Sequence, residues 1–145
     1  MKGIMRRIHS VPRILQTKYP EFDVKLGGLW LKVIVAPSLT AFAPIIRKWV
    51  SPVRGADGFE FPFAWAKKNH VVVDPRYFAF IGIVKARLCY SVVAHECFHA
   101  AYDYVRRQKR GKAFTFDLKE EEDVAKALQA LVYEVSIKLS KLGMW

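Results

Sequence analysis

Apolar positions along the chain fall into blocks with different periods. Leu29–Ala36, LWLKVIVA, is short, rich in β-branched residues and stopped by Pro37, which predicts a strand. Phe59, Phe61, Phe63 and Trp65 alternate with other residues, the period of a strand with one aromatic face. Pro62 has no amide donor, so that strand is expected at a sheet edge. Residues 67–69, KKN, suit a turn, and HVVVD at 70–74 suits an antiparallel return. From 81 to 109 the spacing turns helical, with Gly111 as the expected stop. A last helix is predicted from the acidic run KEEED at 119–123, whose charges suit a helix N-terminus. Its apolar stripe is Val124, Leu128, Leu131, Val135, Leu139 and Leu142.

The remaining segments carry weaker patterns. Residues 4–16 suit a short amphipathic helix limited by Pro12, and 38–50 suit a helix interrupted by Pro44. Residues 51–58, SPVRGADG, suit a loop, and FTF at 114–116 an extended stretch. Strands followed by two long helices predict an α+β domain, one unit over residues 1–145.

Composition narrows the class. Hydrophobic residues make up 52% of the chain, which excludes a disordered protein. No run reaches the roughly 18–20 apolar residues that span a bilayer. The opening MKGIMRRIHSVPRIL lacks the continuous apolar segment of a secretory signal, so a cytoplasmic location is expected. Cys89 and Cys97 lie about 12 Å apart on one helix at ~1.5 Å per residue, too far for a disulfide. They are expected to be free thiols in a core, as in a reducing compartment. The net charge of +11 would attract nucleic acid, anionic lipid or acidic partners without choosing among them. Its densest cluster, RRQKRGK at 106–112, also suits a solvated helix end whose cations offset the C-terminal dipole.

The chemistry is concentrated in HECFH, residues 95–99, in a chain with only four histidines. Residues i and i+4 share a helix face, so His95 and His99 can direct their imidazoles at one point. Two neutral imidazoles suit Zn²⁺, which takes about four nitrogen, oxygen or sulfur ligands. Glu96 is turned about 100° from His95, beside such a metal rather than on it, where a general base belongs. Cys97 falls nearly opposite His95 and is not a ligand. Small and apolar neighbours (Val92, Val93, Ala94, Ala100, Ala101) predict a buried helix, in which two histidines and an acid without a metal would be costly. No histidine follows His99, so a downstream third ligand would be a carboxylate, Asp117 or one of Glu120 to Asp123. His9 and His70 lie upstream, a less usual arrangement. Within the acidic run, Glu121 shares a face with Val124, Leu128 and Val135, whereas Glu122 shares one with Ala125 and Tyr133. Helix geometry leaves that choice open.

At these residues the sequence resembles the HExxH zinc metallopeptidases of the gluzincin group. More particularly, it is similar to the minimal zincin-like domains of phage and prophage proteins. The resemblance covers about 59–139. It rests on GFEFPFAWAKKNHVVVD, on VVAHECFHAAYDYV, and on a glutamate followed three residues later by alanine, Glu122 and Ala125. It implies a minimal zincin-like fold, with a small antiparallel or mixed sheet and an HExxH helix packed against a C-terminal helix. It implies zinc held by His95, His99 and Glu122, with Glu121 the nearest alternative, and Glu96 as general base. The edge strand, through 63–66, would hold an extended peptide by backbone pairing. The sequence departs from related domains at Lys126, where a tyrosine is common, and it offers only Tyr102 and Tyr133 as oxyanion partners. The SprT-like proteases are also similar, but their third ligand is a further histidine.

The expected function is therefore a zinc-dependent metallopeptidase acting on a peptide or protein substrate. The alternative is a non-catalytic zincin-fold protein that binds nucleic acid or a protein partner through its basic surface. No membrane partner is expected.

Overall fold

A computed structural model describes residues 18–42, 58–62, 76–109 and 117–145. The helices expected at 4–16 and across most of 38–50, all but Gly58 of the loop expected at 51–58, the strand end at 63–66, the turn at 67–69, the return strand at 70–74, the stop at Gly111 and the extended 114–116 lie outside the described residues.

Among the described residues, four strands form one mixed sheet: β1 (Glu21–Leu26), β2 (Leu29–Ala36), β3 (Gly58–Pro62) and β4 (Tyr77–Val84), in the order β1-β2-β4-β3. β1 and β2 are an antiparallel hairpin in register from Leu26↔Leu29 to Glu21↔Ile34. Its turn is Gly27 and Gly28, both at positive φ (53° and 85°), the backbone that a two-residue hairpin twisted with its strands requires. β2 runs parallel to β4, and β3 pairs antiparallel with β4 at the sheet edge, the position expected for a strand containing Pro62.

The stretch YFAFIGIV corrects the expectation of a helix from 81. It is β4, followed by a 3-10 turn at Lys85–Arg87, and the helix begins only at Tyr90. Continuous apolar runs of this length carry no decisive period. Here the run is a central strand paired on both sides and buried on both faces, as parallel neighbours usually are.

Two helices complete the described fold, α1 (Tyr90–Gln108) and α2 (Leu118–Lys141). Asp117 caps α2 by accepting a hydrogen bond from the Glu120 amide at 2.8 Å. The helices are antiparallel. Lys109, the C-cap of α1, donates to Glu120 at 2.8 Å, while at the opposite end the Tyr90 and Trp145 rings meet at 4.3 Å. α1 packs over β4 and β3, and α2 reaches β1. Val33 and Val35 of β2 and Ile81 and Ile83 of β4 join Val93, Cys97 and Ala101 of α1 and Val124, Leu131, Val135 and Leu139 of α2 in one core. Ile34, Ala36 and Phe80 on the other face of the sheet are also buried. The molecule is thus α+β with a small mixed sheet and two packed helices.

Of the expected apolar stripe on α2, Val124, Leu131, Val135 and Leu139 are buried and Leu128 is half-buried. Leu142 falls just past the last turn and is exposed.

Candidate metal centre

α1 carries His95, Glu96 and His99 in its first half. The core claims the face bearing Val93, Cys97, Ala100 and Ala101, so His95 and His99 face outward. This corrects the expectation of a buried pair: the His95 side chain is 66% exposed. A desolvation argument therefore does not require a metal here. Convergence makes a separate case. The two Nε2 atoms stand 3.2 Å apart. Two nitrogen ligands at ~2.0–2.1 Å from a tetrahedral Zn²⁺ lie about 3.3 Å apart, so the pair fits two corners of that shell. The same atoms are also within imidazole hydrogen-bond distance of each other. Partial desolvation and the adjacent His95 lower the pKa of His99, against an opposing effect of Asp103, and so favour the neutral ring that a metal needs.

Glu96 behaves differently from its neighbours. Its backbone is one residue on from His95, which turns its side chain toward the β3 flank of the helix. There it is buried, with Oε1 4.0 Å from His95 Nε2. Gly58, the first residue of β3, makes this possible. A Cβ on Gly58 would meet the Gly82 carbonyl oxygen at 2.9 Å and Glu96 Cγ at 3.3 Å. Burial pushes the Glu96 carboxyl up to about 7, because the ionised form loses solvent. Sequence reasoning did not single out Gly58. A glycine opening a strand hints at close backbone approach, but which side chain approaches is decided by the fold.

Cys97 points into the core and is fully buried, and desolvation raises its thiol to about 12, with Glu96 a lesser cause. That placement turns its sulfur away from the histidine face. Cys89 forms no disulfide either, but it is exposed beside the Ser91 hydroxyl rather than packed in the core.

Glu122 does not join the histidines. Glu120, two residues before it, bonds Lys109, and Lys109 lies ten residues beyond His99, about 15 Å along the axis at ~1.5 Å per residue. The antiparallel pairing therefore holds the start of α2 against the far end of α1. Glu121 and Glu122 are both exposed, and the buried member of the run is Glu120, neutralised by Lys109. Among the described residues, no third His, Cys, Asp or Glu completes a metal-holding group. His9 and His70 lie outside the described residues. Tyr133 is exposed on α2 and Tyr102 half-buried on α1.

The basic cluster is partly committed within the fold. Arg107 donates to the Tyr77 carbonyl at 2.7 Å, and Lys109 is tied to Glu120. Residues 110–112 lie outside the described residues. No helix among the described residues is long and apolar enough to cross a membrane.

Compared with known protein families, with curated proteins and with solved structures, the chain has no match.

Proposed function

We propose that the chain is a zinc-dependent peptidase on a minimal zincin-like scaffold of the phage and prophage type. The observation that carries this reading is the convergence of His95 and His99 Nε2 at 3.2 Å beside a buried glutamate whose pKa is about 7. Bound between the imidazoles, Zn²⁺ would supply Lewis acidity toward a peptide carbonyl and an attacking water. In their neutral forms His95 and His99 would each turn an Nε2 lone pair to the ion, and the helix fixes their spacing. Glu96 takes a proton from the water at a carboxylate oxygen and returns it to the leaving amine. An extended peptide would pair by its backbone at the sheet edge that β3 holds among the described residues, next to 63–66, which lie outside them. A cytoplasmic setting is consistent with Cys89 and Cys97 forming no disulfide.

The nucleic-acid reading has less support, because two cations of its densest cluster are spent on internal contacts. The test of the peptidase reading is hydrolysis of an unstructured protein substrate after zinc loading. Glu96→Gln should bind zinc as wild type does yet lose at least a hundredfold in rate, the usual worth of a general base. A Glu96→Gln protein that cleaves as fast as wild type would remove Glu96 from the mechanism.

A further inference from the structure

A cavity of about 410 Å³ opens at the far end of the helical hairpin from the histidine pair. Leu26 from the end of β1, Val105 from α1 and Ala127 from α2 give it apolar lining. Most of the polar groups around it carry hydrogen-bond donors. Tyr104, Gln108, Lys119 and Lys126 bring hydrogen-bond donors to its wall, and none of these side chains has a hydrogen-bond or ion-pair partner among the described residues. Lys109 also lines it, but its amine is committed to Glu120. The one carboxylate is Asp123, placed between Lys119 and Lys126 on the same face of α2. Two uncommitted ammonium groups against one carboxylate leave the wall net positive. A volume of this size lies within the range of small-molecule sites, which combine apolar lining with a few convergent polar groups.

From this geometry we infer that the cavity binds a small organic anion with an aryl or alkyl body. The apolar part lies against Leu26, Val105 and Ala127, and the anionic group is held by Lys119 and Lys126. The site is separate from the histidine pair and does not depend on the peptidase reading.

Fluorescence titration with 8-anilinonaphthalene-1-sulfonate tests this, with N-phenyl-1-naphthylamine as its uncharged counterpart. The native protein should bind the sulfonate saturably at one site per chain, at least tenfold tighter than the neutral probe. Octanoate should displace it and acetate should not. The double variant Lys119→Gln/Lys126→Gln should weaken binding at least tenfold, while Lys138→Gln/Lys141→Gln, which removes the same charge elsewhere on α2, should leave it unchanged. Equal losses in the two double variants would mean non-specific attraction to a basic protein and would overturn the assignment. So would equal affinity for the neutral probe, or no saturable site. Circular dichroism confirms that each variant is folded; should Lys119→Gln/Lys126→Gln not be, the octanoate and acetate competition on the native chain decides.

Discussion

Glu96→Gln replaces a buried carboxyl by a neutral amide of nearly the same shape, and its effect on stability can be worked out from the fold. The carboxyl titrates from 4.5 in the exposed chain to about 7 in the folded one. Between those values the folded state binds more protons than the unfolded state, so stability is fully present below 4.5 and falls as pH rises through about 7. At ~1.4 kcal/mol per pH unit the ceiling is roughly 3 kcal/mol, and partial solvent access brings the expected cost to about 1–2 kcal/mol. His99 contributes with the opposite sign: its pKa is lowered, so its share of stability is lost as pH falls. The difference between variant and wild type isolates Glu96. Urea unfolding followed by tryptophan fluorescence, with a chelator present, provides the assay. At pH 5 the two proteins should have nearly equal midpoints. At pH 8 the variant should be more stable by about 1–2 kcal/mol, close to a 1 M shift at a slope of ~1.5 kcal/mol/M. A difference that does not grow between pH 5 and pH 8 would show that Glu96 is not desolvated against β3, and the argument from Gly58 would fail with it.

Gly27→Ala should cost about 1–3 kcal/mol in thermal unfolding, because φ is positive there and a Cβ would collide with the Tyr104 hydroxyl. An unchanged melting curve would mean that the hairpin turn does not rest on α1. Leu131→Ala, fully buried in the core shared by α1 and α2, should cost about 2–5 kcal/mol by chemical denaturation; a loss below ~1 kcal/mol would contradict its packing. Glu122→Gln should leave zinc affinity unchanged in calorimetric titration, whereas His95→Ala and His99→Ala should each abolish or severely weaken it. Loss of affinity in Glu122→Gln would restore the third ligand implied by the family resemblance and refute the antiparallel placement of α2.

The glycine pair in KLGGLW, flanked by EFDVK and WLKVIV, is a hairpin signal that the sequence carries in full. The buried glutamate was a different matter. In the run KEEED the acids are chemically alike, and only packing against Lys109 separates Glu120 from its neighbours. The same holds for YFAFIGIV, whose uniform apolarity concealed a strand until a parallel partner was placed beside it.

What the sequence determined alone was local. Leu29–Ala36 forms a strand with the predicted bounds, and HECFH sits on a helix whose 3.6-residue period puts His95 and His99 one above the other and turns Glu96 aside. Those relations depend on backbone geometry within a single element. Tertiary structure decided the rest: that the histidines face outward, that Glu96 is buried next to Gly58 with its pKa raised by that burial, and that the acidic start of α2 is tied to the far end of α1 through Lys109. Burial and long-range placement depend on which surfaces meet, and chain segments distant in sequence settle that only when the core closes.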